Sequence, residues 1–273
     1  MPAFFAGILF DTNKILYIII GMLLFSFAAS SIYIVNDYRD RFKDAQHPTK
    51  RFRPLAAGTV SSSFAFLLCI VLISISLIGS YFIDPNLFYF ILFYYLLNLS
   101  YSFGLKNISI LDVIIIAIGF ILRIQAGAIL ANVPISVWLN LMVFLLALFI
   151  ALGKRRDDVL LQYNSGIEMR KSLGGYNIEF LNVTITFLCA IIIVCYLMYT
   201  VDERVDARFS SNKLYFTSLF VLIGIFRYLQ LIYVKNDTGS PTKIIYKDRF
   251  LQITILLWIV SFYVLIYLKH IIA

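Results

Sequence analysis

One stretch of this chain collects residue types that handle metal ions and phosphate. Residues 36–58 read NDYRDRFKDAQHPTKRFRPLAAG. Asp37, Asp40 and Asp44 stand at i, i+3 and i+7, a spacing that sets three carboxylates on one helical face. Asn36, four residues before Asp40, joins them. Hard oxygen ligands of this kind suit Mg2+, with Mn2+ as a substitute, because such an ion bridges one or two carboxylates to substrate phosphates. Lys50, Arg51 and Arg53 follow, and an Arg fork or a Lys point charge recognises phosphate oxygens. A solvated loop of mixed charge is the plainer reading, but this cluster caps a long apolar run.

A second stretch, residues 153–176, reads GKRRDDVLLQYNSGIEMRKSLGGY. Here Lys154, Arg155, Arg156, Arg170 and Lys171 outnumber Asp157, Asp158 and Glu168, so the segment suits anions. The rival reading is that these bases only face anionic lipid. Arg123 and Arg227 lie inside apolar runs, and Asp112 stands near the start of one; charges so placed face a cavity or a partner. Each is a functional candidate or half of a structural ion pair. Asn98 and Tyr101 add hydrogen-bonding groups beside Lys106, which with Asp112 is expected at a cavity rim. Asp248 and Arg249 are expected to pair across helices. Cys69, Cys189 and Cys195 sit in apolar runs without metal-ligand spacing, and His47 and His270 are too few for a histidine-rich metal site.

The elements that carry these residues are membrane helices. Hydrophobic residues make up 61% of the 273 and charged residues 14%, against about 25% charged in soluble domains. Eight apolar runs approach or exceed the ~20 residues that span hydrocarbon: Ile15–Val35, Thr59–Ile83, Leu87–Leu105, Ile108–Ala131, Val133–Gly153, Ile178–Val201, Leu214–Val234 and Phe250–Ile272. None alternates with period two, so the fold class is all-α, a polytopic helical bundle, expected as one domain over residues 1–273. Met1–Phe10 is apolar but short, without the basic start or cleavage site of a signal peptide, and reads as the tail of a truncated first helix. Alternating the spans places 16 Lys and Arg in one set of connections and five in the other set with the termini. The positive-inside rule puts the richer set, with both polar stretches, in the cytoplasm of a cell whose inner membrane holds the chain.

The run NDxxDxxxD at the end of a membrane helix resembles the first aspartate-rich motif of the UbiA superfamily of intramembrane prenyltransferases. The continuation HPTKRFRPLAAG, His47 to Gly58, is similar to the branch that transfers phosphoribose to polyprenyl phosphate. So are Tyr101-Ser102-Phe103-Gly104-Leu105-Lys106, Gly153-Lys154-Arg155 and Arg170-Lys171-Ser172-Leu173. The resemblance runs from about Phe25 to the chain's end. It implies nine helices around a cavity open to the cytoplasm and to lipid, here eight full spans and a truncated first. The second aspartate-rich motif of the superfamily, DxxxD, is replaced by the basic stretch at 154–171.

That replacement fits a donor with two phosphate groups. 5-Phosphoribosyl 1-diphosphate has a diphosphate for the metal and a separate 5-phosphate for the bases. The resemblance implies metal ligation by Asp37, Asp40 and Asp44, and catalysis by Asp37, Asp40, Lys50 and Arg53. Substrate contacts would come from Asn36, Arg51, Tyr101, Lys106, Arg123, Lys154, Arg155, Asp158, Arg170 and Lys171. The acceptor would be a polyprenyl phosphate such as decaprenyl or undecaprenyl phosphate, serving cell-envelope glycan synthesis; lipid, not nucleic acid, is the expected surrounding. A prenyltransferase acting on an aromatic acceptor is the nearest rival and should keep the second motif. A transporter would spread charge along its pore, whereas this chain concentrates it at one face.

The charge count makes the topology testable. In a variant lacking the native cysteines, cysteine introduced at Gln46 or Ser165 should react only when a thiol probe reaches the cytoplasmic face. Labelling of either in intact cells by an impermeant probe would overturn the arrangement.

Overall fold

The computed structural model describes residues 11–46, 50–165, 171–205, 213–235 and 241–267. The expected stub Met1–Phe10 lies outside them. Among the described residues the regular structure is helical, with no strand. Helix α1 is Thr12–Ala45, α2 Ser62–Ile83, α3 Pro85–Phe103, α4 Leu111–Ala131, α5 Val137–Ser165 and α6 Ile178–Thr200. A 3-10 turn at Leu214–Thr217 leads into α7, Ser218–Tyr233; α8 is Pro241–Lys247 and α9 Arg249–Tyr267.

Among the described residues seven helical segments are long and apolar enough to cross a membrane, where eight spans are expected. The difference falls on α3. Asn86, Tyr89, Tyr94, Tyr95, Asn98 and Tyr101 dilute its apolar content, so it is a helix of spanning length with a more polar composition. Helix starts are capped as their sequences dictate. Asp84 accepts from the backbone N–H of Asn86 and Leu87 ahead of Pro85, and Ser61 and Asn177 accept at α2 and α6. Helix α1 has 34 residues and rises about 51 Å against roughly 30 Å of hydrocarbon. Its length carries Asn36–Asp44 beyond the apolar layer.

The chain forms two compact units. One comprises the chain to Lys106 with Ile121–Pro134; the other comprises Asn107–Phe120 and everything from Ile135. Each contains one of the two polar stretches. In the first unit α1 and α2 meet through small and hydroxyl-bearing residues. Ser76 Oγ donates to the Leu24 carbonyl at 2.7 Å and Ser31 Oγ to the Cys69 carbonyl at 3.1 Å. Such contacts let backbones approach where lipid supplies no hydrophobic drive. Gly21 likewise abuts Leu130.

The second unit is organised around an apolar core that includes Phe149, Leu152, Leu181, Ile185, Leu188, Tyr228, Ile232 and Ile244. Beside it, buried polar groups pair across helices. Trp258 Nε1 donates to Tyr196 Oη at 2.7 Å, and that hydroxyl meets Thr217 Oγ1 at 2.6 Å. The three cysteines are free and buried, in keeping with their reading as small apolar side chains.

Gly153 in α5 is held by a rigid neighbour. A Cβ there would lie 2.6 Å from Pro241 Cδ and 2.7 Å from Pro241 Cγ, and the ring cannot rotate away. Gly153→Ala should therefore lower the melting temperature in detergent, overpacking of about 1–3 kcal/mol outweighing the helix-propensity gain of up to ~1 kcal/mol. In a Pro241→Ala background the same change should be near neutral or stabilising.

Candidate functional site

The acidic face of α1 is closed by two cations from within its own unit. Past α1, a 3-10 turn at Lys50–Phe52 and the bond from Arg53 N to Lys50 O (2.9 Å) turn the chain back. The loop ends at Gly58, whose φ of 71° a side chain would resist. Arg53 Nη1 is thereby set between two carboxylates, 2.9 Å from Asp37 Oδ1 and 2.8 Å from Asp44 Oδ2. Lys106 arrives from the turn after α3. Its Nζ lies 2.7 and 2.6 Å from the two Asp40 carboxylate oxygens and 3.0 Å from Asn36 Oδ1.

The structure therefore brings together Asn36, Asp37, Asp40, Asp44, Arg53 and Lys106. Arg51 lies over the Phe52 ring, 4.9 Å from its centre, and is exposed. Tyr101 is half-buried two residues before the end of α3. Among the described residues no three acidic, histidine or cysteine side chains lie close enough to enclose a metal ion as they stand. The donor chemistry nonetheless fits a hard divalent cation, since the oxygens already converge on two positive groups. Arg53 is 38% exposed, and partly exposed pairs of this kind contribute at most about 1 kcal/mol. An ion or a phosphate can exchange with them.

Arg123 lies in the same unit, inside the apolar layer. Its Nη2 donates to Tyr94 Oη at 2.7 Å, and the guanidinium carbon lies 5.0 Å from the centre of the Tyr94 ring and 5.7 Å from that of Phe25. An aromatic cradle with a phenol acceptor is a recognised way to hold a guanidinium in a dry setting. Tyr94 carries no sequence signal beyond standing among the tyrosines of α3.

In the second unit the basic stretch divides. Arg155 is 1% exposed, and its Nε donates to Asp112 Oδ2 at 2.7 Å, with Nη1 3.5 Å from Asp158. Asp112 is fully buried and also accepts from Ser172 Oγ at 3.2 Å and Tyr176 Oη at 2.7 Å. The cavity-rim position expected for Asp112 is thus corrected: it is the centre of a buried network. Tyr176 Oη in turn accepts from the backbone N–H of Ile110 at 2.6 Å. Ile110 has φ 69°, a strained backbone for a β-branched residue, and that bond helps hold it at the entrance to α4. Burial, and then the bond to Asp112, push the Tyr176 phenol up, so it remains a proton donor.

Arg156 is buried and donates to Asn182 Oδ1 at 2.7 Å. Lys154 and Lys171 are exposed, and Arg170 lies outside the described residues. Arg227 is bound to Asp248 by two bonds of 2.7 and 3.3 Å, and to Gln230 Oε1 at 2.7 Å. The Arg227 hydrogen bonds hold the Asp248 carboxyl below the usual carboxylate range, and Asp248 also accepts from Leu251 N at the start of α9. Asp248 does pair across helices as expected, with Arg227 as the partner. Sequence reading missed Ser172 and Tyr176 as partners of Asp112, although Ser172 stands in the quoted motif.

Carboxylates and cations are thus gathered at the ends of long helices in an all-α membrane bundle. The chain belongs to the UbiA prenyltransferase family, whose model matches residues 2–251. It is 36% identical over 251 residues to decaprenyl-phosphate phosphoribosyltransferase of Mycolicibacterium smegmatis, covering 88% of this chain and 77% of that one. The enzyme of the same name from Mycobacterium tuberculosis is 33% identical over 96% of this chain and 85% of its own. Among solved structures, a UbiA homolog from Archaeoglobus fulgidus bound to DMAPP and Mg2+ superimposes with a TM-score of 0.71 at 19% identity, over 97% of this chain and 92% of the other. At that identity the likeness concerns the fold.

The Asp112 network predicts an asymmetry. Arg155→Met alone should destabilise the protein by about 3–5 kcal/mol, because it strands a buried carboxylate. Arg155→Met combined with Asp112→Leu should recover much of that loss, and Tyr176→Phe should cost only about 1–3 kcal/mol. Thermal unfolding in detergent measures all three.

Proposed function

We propose that this protein transfers 5-phosphoribose from 5-phosphoribosyl 1-diphosphate to a polyprenyl phosphate, releasing diphosphate. The observation that carries the proposal is the convergence of Asp37, Asp40, Asp44 and Asn36 with Arg53 and Lys106. It occurs in a chain similar over 88–96% of its length to enzymes named for that reaction. The whole chain acts as one catalytic domain, and its charge distribution supports a site facing the cytoplasm, where soluble sugar diphosphates are available.

The acceptor needs no strong general base, since a phosphate monoester carries close to two negative charges near pH 7. One of its oxygens attacks C1 of the ribose as the bond from C1 to the diphosphate oxygen breaks, and the electron pair leaves with the diphosphate. In-line attack inverts C1, from the α donor to a β product. Mg2+ or Mn2+ held by Asp37, Asp40 and Asp44 would supply positive charge to the departing diphosphate. Arg53 and Lys106, released from the carboxylates, turn to phosphate oxygens, with Lys50 and Arg51 beside them. This preorganised charge lowers the barrier of a step that gathers anions. Lys154, Arg170 and Lys171 serve the 5-phosphate of the donor, and Asp158 is a further substrate contact beside Arg155. Arg155 acts through the Asp112 network as a positioning residue, and Arg123 and Tyr101 border the acceptor.

Two measurements test the reading. With labelled phosphoribosyl diphosphate, decaprenyl phosphate and Mg2+, the purified protein should form lipid-linked phosphoribose, and chelator should abolish it. Asp37→Asn or Asp40→Asn should remove most of the rate. Lys171→Ala should raise the donor KM about tenfold or more, as expected for loss of a charge-assisted hydrogen bond, with little change for the lipid. A prenylated aromatic product, with phosphoribosyl diphosphate ignored, would put the ordinary prenyltransferase in its place.

A further inference from the structure

Arg39 sits beside Asp40 in sequence but does not share its bearing. One residue along an α-helix is a rotation of 100°, which takes Arg39 off the acidic face and onto its flank. There its guanidinium carbon lies 4.3 Å from the centre of the Phe103 ring, the last residue of α3. The carboxylates of α1 pair with Arg53 and Lys106, and the Arg39 guanidinium is turned to the Phe103 ring. Lys43, one turn further along α1, is exposed on the same flank and adds a second positive charge. Three residues past Phe103, Lys106 reaches Asp40. Both chain segments that build this cationic ring site therefore run directly into the acidic cluster.

Below it lies an apolar path. Phe103 is 62% exposed, and Leu96, Phe93 and Tyr89 continue down one side of α3, each more than half exposed. Positions 7, 10 and 14 residues back share a helical face. A guanidinium on an aromatic ring at a helix end, with an apolar strip leading into the bilayer, matches one chemistry. It suits a lipid whose head is a phosphate monoester and whose tail is hydrocarbon. Free phosphate would use the cations and gain nothing from the strip.

We propose that Arg39, Lys43 and Phe103 form the headgroup subsite for the lipid monophosphate acceptor, passing its phosphate to the Asp40–Lys106 corner. The first isoprene units then lie against Phe103 and Leu96. This assignment rests on the phosphoribosyl-transfer reading, and it names residues that the reading leaves unassigned.

The test pairs binding with kinetics, on the full-length protein in nanodiscs. Decaprenyl phosphate binding is measured by native mass spectrometry, with phosphatidic acid and inorganic phosphate as competitors. Transfer kinetics are measured for lipid and for phosphoribosyl diphosphate separately. Arg39→Gln should weaken decaprenyl phosphate binding and raise its KM by about tenfold or more, in line with a charged hydrogen bond, while donor KM stays put. Arg39→Lys should fall between, since charge survives and ring stacking does not. Phe103→Ala should weaken the lipid and leave inorganic phosphate unaffected. Unchanged lipid binding in Arg39→Gln, or a donor KM that rises as far as the lipid KM, overturns the proposal. So does inorganic phosphate competing as well as phosphatidic acid. If the wild-type protein binds the lipid through Arg39 yet transfers no phosphoribose, the reaction is wrong and the subsite stands. Normal transfer by Arg39→Gln has the opposite meaning.

Discussion

Hydrocarbon has nothing to offer a hydrogen-bonding group, and the arrangement of this chain follows from that constraint. Backbone polarity is resolved inside helices. Side-chain polarity within the apolar layer is met by neighbouring helices, as when Ser76 Oγ donates to the Leu24 carbonyl or Trp258 Nε1 to Tyr196 Oη. The carboxylates of the acidic cluster are displaced toward a helix end, whereas Arg123 is held within the layer by its aromatic cradle. Helix α1 is longer than the hydrocarbon is thick, and its surplus length carries the carboxylates.

Burial then separates two ionic clusters that look alike in sequence. Around Asp112 both carboxylate oxygens are served by interior donors, and Arg155 cannot leave without stranding a charge. Around Asp37, Asp40 and Asp44 the partners are a half-exposed arginine and a lysine on a turn. The first arrangement fixes geometry; the second can trade partners. Only the tradeable kind has partners that phosphate or a metal ion could displace.

Local periodicity made much of this legible. The apolar runs located the helices, and the i, i+3, i+7 spacing placed three carboxylates on one face without knowledge of the fold. Composition misjudged α3, where tyrosines and asparagines ride on a helix of spanning length. Contacts distant in sequence stayed hidden. Nothing in the spacing said that Arg53 would bridge Asp37 and Asp44, or that Arg155 would pair with a buried Asp112. A basic residue near an acidic one has the same one-dimensional signature whether it faces water or the interior. Arg123 shows the limit most clearly, since its acceptor Tyr94 belongs to a helix whose tyrosines are otherwise indistinguishable.

The partners of Asp112 are spread along the chain in a way that bears on how the protein is made. Arg155 lies 43 residues later, Ser172 60 and Tyr176 64. At ribosomal rates of about 5–20 residues per second, roughly 3–13 seconds separate synthesis of the carboxylate from synthesis of its last donor. During that interval the start of α4 has a charge that hydrocarbon will not accept. It must wait at the headgroup layer, hydrated, while α5 is threaded. A chain cut before Arg155 therefore leaves the start of α4 with a carboxylate that lacks its cation, and Ser172 and Tyr176 add their hydrogen bonds only as they are made.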